Sequence, residues 1–490
     1  MSLFYGLIIL TICLLLLYHY LTCTYDYWTK QGVETAAAPI PGFGHTLSVL
    51  CLRESLSDVC DRLYKSCTPS SSMLGMFHLR TPVLIIRDPE LVKSVLVKKF
   101  SSFQNNLMHL DEHRDWFLSK HPFLATGVTW KENRTRLLNG MSSRKLKVMF
   151  EPVKRVCAKF DEHLDLILSN DQTEVEIKNL CLKVTGQIVC NAGLGIDDEQ
   201  RFTKIAGRLF ESSWGNATRL MLNFFLPTLA AASGVSFASK EVRKYFEDLT
   251  KNVFESRLVK RKKSEELFLD LVTSGEVDEE TLAGLMSSFF LQAFESAASI
   301  TSFTLYRLSQ HLEIQEKLRK EIHSVLEKYE GNLSYDALKE MTYLQQTINE
   351  SIRLHMTLEI SAKICNETTT LRGSDGKTCT LEPGHIVIIP AQSLHTDEKF
   401  WNDPFIFDPG RFDCDRKNEI AKYAYLPFGE GPRMCPGMRF GLLEVKALLI
   451  TILRKCTLKV SSKTTNPLKM DPRSFLLSVK GGLWTKLERV

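Results

Sequence analysis

A chain of 490 residues with 44% hydrophobic and 24% charged residues has enough apolar material for a large globular core. Its formal net charge of +5 is small for that length, and with no zinc-finger spacing or arginine-rich arm it excludes nucleic acid as the natural partner. Thirteen cysteines, scattered and without a Cys-x-x-Cys pair, argue against a disulfide scaffold and for reduced thiols in a cytosolic compartment.

The first element is an apolar run, Leu3 to Leu21, without Asp, Glu, Lys or Arg. As a helix it is about 28 Å long, close to the hydrocarbon thickness of a bilayer. It lacks the basic start of a cleaved signal peptide, so residues 1–24 read as a transmembrane signal anchor, with the bulk of the chain on the cytosolic side. Pro39, Pro41, Gly42 and Gly44 mark residues 25–50 as a hinge. Residues 51–490 then read as one catalytic domain. Met73 to Ile86 has two apolar runs broken near Arg80 and Thr81, the pattern of a β-hairpin. Helical periodicity covers Thr129–Ser169, Val175–Asn191, Ser239–Val259, Asp278–His311 and Glu313–Tyr329. Asn223–Phe237 is an apolar loop that either packs in the core or touches a membrane. The run Lys260-Arg261-Lys262-Lys263 is a solvated linker. Strand-like runs return at His385–Pro390 and in the segment after Lys455. The fold class is mainly α with a small β part (α+β).

Two patterns place chemistry-bearing side chains on one helix face: Trp130-Lys131-Glu132-Asn133-Arg134 and Glu350-Ser351-Ile352-Arg353. By themselves they are a surface helix and a routine ion pair. The most specific segment is Phe428-Gly429-Glu430-Gly431-Pro432-Arg433-Met434-Cys435-Pro436-Gly437. Two glycines let its backbone turn sharply and approach a flat cofactor. Pro436 and Gly437 open an apolar helical run, Met438 to Leu453, whose positive end faces the Cys435 sulfur and favours its ionised form. Such a loop can hold a thiolate against a haem iron, with Arg433 available to a haem propionate.

This loop has all six fixed positions of F-G-x-G-x-R-x-C-x-G, the haem-binding signature of the cytochrome P450 family. After the anchor, essentially the whole chain resembles that family in its microsomal form. The stretch from Ser142 to Phe150 is similar to the clan that holds many insect detoxification enzymes. The resemblance implies the cytochrome P450 fold, with a long central helix over haem b (iron protoporphyrin IX). It implies Cys435 as the metal ligand, and cofactor contacts from Phe428, Arg433, Gly437, Trp130 and Arg134. Glu350 and Arg353 are expected to join Arg411, from Pro409-Gly410-Arg411-Phe412, in a buried structural triad. Lys363 stands where a propionate contact is expected, as a point charge without arginine's fork. On the central helix, Gln292-Ala293-Phe294-Glu295-Ser296 replaces the usual small residue, glycine, any residue, acid and threonine. Glu295 and Ser296 are thereby the catalytic candidates, Ser296 to hold dioxygen and Glu295 to relay protons with water.

The implied function is a membrane-bound haem-thiolate monooxygenase that inserts one oxygen atom of O2 into a lipophilic substrate, foreign or endogenous, by hydroxylation or epoxidation. The chain has no flavin or dinucleotide fingerprint, so electrons come from NADPH through a separate flavoprotein, NADPH–cytochrome P450 reductase, in some members with cytochrome b5. Lys131, Arg136, Arg144, Lys145, Lys147, Arg439 and Lys446 form a candidate basic docking face. Phe103–Gly127, Arg208–Phe225, Ser287–Glu295 and Leu358–Ile364 are candidate pocket segments, apolar and rich in phenylalanine. The expected location is the endoplasmic reticulum membrane with the catalytic domain in the cytosol. N-x-S/T sequons at Asn133 and Asn349, inside the haem and core motifs, accord with an unglycosylated compartment. One alternative is a haem-binding protein of the same fold that sequesters lipophiles with little turnover, motivated by Gln292, Ala293 and Ser296. Another is a thiolate-haem isomerase or dehydratase acting on a peroxide without a reductase.

Overall fold

The computed structural model describes residues 2–108, 110–169, 173–196, 198–259, 268–272 and 277–490. The linker Lys260–Lys263 lies outside the described residues, as does the side chain of Gln292. The chain divides into two compact units, each assembled from separated stretches.

The smaller unit takes the residues up to Leu107 together with Glu359–Phe400 and Ala421–Arg433. It opens with helix α1, Ser2–Thr22, whose apolar side chains from Leu3 onward find no core and stay exposed. Strands β1 (Met73–His78) and β2 (Thr81–Ile86) form the antiparallel hairpin that the sequence pattern predicts. Leu79 takes a left-handed φ of 53° at its turn. From β2 the sheet continues through Ile386–Ile389 in parallel, then Ser361–Ile364, then Asn105–Asn106. Leu74, Met76, Phe77, Leu84, Ile85 and Val387 are all buried, so both faces of the sheet are covered and its strands read as unbroken apolar runs. The segment 25–50 packs against this sheet. Trp28 is fully buried and donates its indole N–H to the Met76 carbonyl at 2.9 Å. Its ring fills the space beside Gly75, where a Cβ would meet Trp28 at 2.2 Å.

The larger unit comprises Met108–Leu358, Trp401–Ile420 and Met434–Val490. Its frame is helical: α2 (Ser143–Ser169), α3 (Ile177–Ile188), α4 (Glu279–Ala293), α5 (Glu295–Gln310), α6 (Thr342–Leu354) and α7 (Met438–Leu453). Helix α5 packs on α3, α6 and α7, and α7 packs on α2. The surrounded helices α5 and α7 are buried nearly all round, and the small Ala297, Ala298, Ser299 and Ser302 let neighbours approach. Strands Glu174–Glu176, Trp484–Arg489 and Cys456–Val460 form a small antiparallel sheet, as the apolar runs after Lys455 lead one to expect.

Three sequence expectations differ from the structure in detail. The run Thr129–Ser169 is two helices, Gly127–Gly140 and α2. The run Asp278–His311 is also two, because Phe294, with ψ of −80°, leaves the helix between α4 and α5. Phe294 is buried against Phe202, Phe210 and Phe290, so the apolar period passes through the break and cannot reveal it. The expected loop Asn223–Phe237 is largely the end of helix Trp214–Phe225 followed by helix Pro227–Ser233, which starts on a proline and ends at Gly234.

Helix α7 carries one group that works against the fold. Glu444 is fully buried, and neither carboxyl oxygen has a hydrogen-bond partner among the described residues. Burial pushes its pKa well above the ordinary 4.5. An acid with a raised folded-state pKa favours folding at low pH. That contribution is lost as pH rises above about 4.5, because the unfolded chain then releases the proton first. Glu444→Gln should therefore flatten the decline of thermal stability between pH 5 and pH 8 and raise the midpoint at pH 8, as read by scanning calorimetry.

Candidate functional site

In the smaller unit the site residues lie on the glycine loop and on the strand pair Asn105–Asn106 with Ser361–Ile364. Gly429 and Gly431 take φ values of 71° and 70°. A Cβ at Gly431 would lie 2.1 Å from the Leu96 carbonyl oxygen, so this turn requires glycine. Phe428 is half-buried just before it. Arg433 donates Nε–H to the Gln104 carbonyl at 2.8 Å. Two residues further on, Asn106 Oδ1 accepts from Lys363 Nζ at 2.6 Å. Lys363 is buried, and among the described residues no carboxylate lies within ion-pair distance of it. Burial, and secondarily Arg433, push its amine down to about 7. A buried cation without a counter-ion, beside a second cation, is a seat for an anionic group such as a haem propionate.

From Met434 the chain belongs to the larger unit. Cys435 is half-buried directly ahead of α7. Burial is the largest influence on its thiol and leaves the pKa above its ordinary value, while the backbone N–H groups of Gly437 and Met438 and the charge of Arg134 pull the other way. These groups favour a sulfur that bears negative charge. Arg134 donates to the Met434 carbonyl at 2.8 Å. Trp130 is buried one turn earlier on the same helix, Gly127–Gly140, so the Trp-x-x-x-Arg pair and the cysteine segment belong to one locality.

The triad residues also meet. Glu350 receives Arg353 through two bonds, Nε to Oε2 at 2.7 Å and Nη2 to Oε1 at 2.8 Å, with both side chains fully buried. Arg411 Nε lies 3.4 Å from Glu350 Oε1, and the Asp408 N–H donates to that oxygen at 3.0 Å. Arg411 also donates to the Asp403 carbonyl at 2.8 Å, and the Arg353 guanidinium stands 5.0 Å from the Trp401 ring centroid. This set of donors on one buried carboxylate ties α6 to the Pro409–Phe412 turn.

On the central helix, Glu295 opens α5 immediately after the break at Phe294. Its carboxylate is buried and paired with Lys178 of α3 at 2.7 Å. The sequence reading assigned Glu295 to water and missed Lys178, since no local pattern announces that α3 packs on α5. Ser296 follows on the first turn and is half-buried. Among the candidate docking cations, Lys131, Arg144, Lys147 and Arg439 are exposed. Lys446 is not part of any docking face. It is buried, donates to the Leu338 carbonyl at 3.0 Å, and its amine is pushed down to about 8 by burial.

A small recess lined by Leu209, Phe210, Glu211, Asn216, Leu220, Phe237, Arg473 and Phe475 falls partly on the expected pocket segment Arg208–Phe225. Phe237 and Phe475 were not expected. They gather with Phe224 at centroid distances of 6.1 Å, fixed in part by Asp115, which accepts from the Phe237 and Ala238 N–H groups.

Residues 36–485 match the family model for cytochrome P450. The chain belongs to the cytochrome P450 family. Cytochrome P450 6a2 of Drosophila melanogaster is 30% identical over 517 residues, covering 100% of this chain and 99% of that protein. Probable cytochrome P450 28d2 of the same fly is 30% identical over 483 residues, covering 95% of each. Cytochrome P450 6j1 of Blattella germanica is 29% identical over 487 residues, covering 96% of this chain and 95% of that protein. These relatives are insect proteins, in keeping with the likeness of the Ser142–Phe150 stretch. This P450 is thus a haem-dependent monooxygenase, with the mainly helical fold and small sheets of its family.

Removing one member of a buried ion pair strands the other, at a cost of about 3–5 kcal/mol. Lys178→Met should therefore lower the unfolding free energy of this P450 by that order. Combining it with Glu295→Gln should recover much of the loss. A double-mutant cycle by chemical denaturation measures the coupling, and additive effects would contradict the pair.

Proposed function

We propose that this P450 is a membrane-anchored haem-thiolate monooxygenase that places one oxygen atom of dioxygen into a lipophilic substrate by hydroxylation or epoxidation. The observation that supports it most is the set of groups acting on the Cys435 sulfur: two backbone N–H groups at the start of α7 and the Arg134 charge. In this reading Cys435 would supply the protein's sulfur ligand to haem b, and Trp130, Arg134, Arg433 and Lys363 would hold its propionates. When bound, haem supplies oxygen activation, which a thiolate ligand promotes by favouring O–O cleavage.

The other tasks fall to the polypeptide. Ser296 offers a hydroxyl to the oxygen site. Glu295 carries protons inward, and its pairing with Lys178 holds that carboxylate in place until it exchanges with water. The apolar, phenylalanine-rich segments Phe103–Gly127, Arg208–Phe225, Ser287–Glu295 and Leu358–Ile364 would orient a lipophilic substrate. Electrons arrive from NADPH through NADPH–cytochrome P450 reductase, with cytochrome b5 as a second donor. Lys131, Arg136, Arg144, Lys145, Lys147 and Arg439 supply the positive face for these acidic partners. Helix α1 anchors the chain in the endoplasmic reticulum membrane with the catalytic part in the cytosol. The insect relatives favour foreign or endogenous lipophiles as substrates.

Membranes containing this P450 and the reductase should convert a lipophilic probe to a product with one labelled oxygen when supplied with NADPH and labelled dioxygen. Product formed equally without NADPH would point to a peroxide isomerase instead. Tight probe binding without product would point to a sequestering protein.

The role of Lys363 has its own test. Its amine is charged below pH 7 and must take up a proton above it to meet a propionate. Haem affinity of the apo-protein should fall by about 25-fold between pH 6.5 and pH 8.5. In Lys363→Met, haem should bind more weakly and with a smaller pH dependence, measured by absorbance titration.

A further inference from the structure

Three large apolar side chains of the larger unit stand in solvent: Leu312 is 49% exposed, Phe405 64% and Ile406 58%. A fixed turn presents the last two. Asp403 takes a left-handed φ of 46°, and its carbonyl accepts from the Ile406 N–H at 3.1 Å and from Arg411 at 2.8 Å. Arg353 reaches the Ile406 carbonyl at 3.4 Å. Pro404 and Phe407, on either side of the exposed pair, are buried. The turn is therefore fastened to the buried triad and holds Phe405 and Ile406 out. Leu312 is joined to them through its neighbour, since the His311 ring stacks on Phe407 at 5.3 Å.

Carboxylates edge this apolar patch. The Glu313 side chain is 76% exposed, and His311, 3.6 Å from it, is neutral at pH 7 because burial pushes the imidazole pKa down. Asp403 is exposed, with no cation within ion-pair distance among the described residues. Such an edge repels an anionic bilayer and the acidic electron donors alike. It suits a partner that carries apolar side chains among cations.

This chain presents that surface itself. On helix Gly127–Gly140, Val128, Lys131, Thr135 and Leu138 recur at helical spacing on one face. Val128 is 72% exposed and Leu138 47%. Lys131, Arg144 and Arg439 are exposed, and none has a carboxylate within ion-pair distance among the described residues. Arg439 donates to the Met141 carbonyl at 3.1 Å and to the Ser143 hydroxyl at 2.6 Å, so the cations at the starts of α2 and α7 are held together.

We infer that the Leu312–Phe405–Ile406 patch docks a second copy of this chain. Val128 and Leu138 of that copy meet the apolar side chains, and its Lys131, Arg144 and Arg439 meet Glu313 and Asp403. The two surfaces differ, so the contact is head-to-tail and leaves one surface of each kind open at the ends. The inference rests on the proposed seat of the electron donors and goes beyond it. The same cations serve both contacts, so association withholds a copy from its donor, and the donor disperses the association.

The test uses the full-length holoenzyme in phosphatidylcholine vesicles. One copy carries p-benzoylphenylalanine in place of Phe405, and the second is labelled with nitrogen-15. After irradiation, mass spectrometry counts only cross-links between unlabelled and labelled peptides. The expected result is cross-links from position 405 to labelled peptides from residues 127–147 or containing residue 439. Lys131→Glu with Arg144→Glu in the labelled copy should lower the yield about tenfold, the effect of two ordinary ion pairs. Glu313→Lys with Asp403→Lys in the unlabelled copy should restore it, which a merely misfolded copy would not allow. Adducts with lipid alone, cross-links to other segments, or no rescue by the reversed charges overturn the inference and leave the donor seat standing. Excess reductase should suppress the cross-links. If they persist while the reductase reduces the haem at its full rate, the contact stands and the donor seat on these cations is overturned.

Discussion

A sulfur inside a protein bears negative charge only where donors offset the cost of burial, and at Cys435 burial is opposed by such donors. The start of α7 supplies two backbone N–H groups, and Arg134 adds a charge. Neither could act if the chain did not turn sharply just before the cysteine. That turn depends on Gly429 and Gly431 in left-handed conformations, with no room for a side chain at Gly431. Five of the six fixed positions of the loop thus have physical jobs: Gly429 and Gly431 set the conformation, Arg433 places a charge ahead of the sulfur, Cys435 carries it, and Gly437 opens a helix.

Ionic groups in the larger unit are buried in pairs, which sets where the fold is rigid. Glu350 binds Arg353 through two bonds and holds Arg411 and the Asp408 N–H on the same oxygen. Glu295 binds Lys178 and so joins the beginning of α5 to α3. Such pairs add little net stability over apolar packing, but they fix geometry because a mismatched arrangement leaves a bare charge. Other buried groups of this unit have no opposite charge within ion-pair distance among the described residues: Asp115 accepts two backbone N–H groups, Lys446 donates to a carbonyl, and Glu444 has no hydrogen-bond partner, so that burial pushes its pKa well above the ordinary value. The smaller unit likewise has a buried Lys363 cation without a carboxylate among the described residues.

The cysteine loop, the β1–β2 hairpin, the apolar α1 and the Glu350–Arg353 pair were legible in the sequence, because each is written in spacing over a few residues. What could not be read depends on partners far along the chain. Lys178 meets Glu295 only because α3 packs on α5, and Phe475 joins Phe224 and Phe237 from the C-terminal region. Lys446 looked like a surface cation, yet it is drawn inward to the Leu338 carbonyl. The break at Phe294 is hidden because a buried phenylalanine satisfies the helical period on either side of it. Proline and glycine in residues 25–50 suggested a hinge, and composition could not show that Trp28 is locked against Gly75.

The most direct measurement is the absorption spectrum of the reduced, carbon-monoxide-bound protein in membranes, with Cys435→His alongside. The account predicts a strongly red-shifted Soret band for the native chain and its loss in Cys435→His. A native band at the position of a neutral or histidine-like ligand, unchanged after mild purification, would contradict Cys435 as a thiolate ligand.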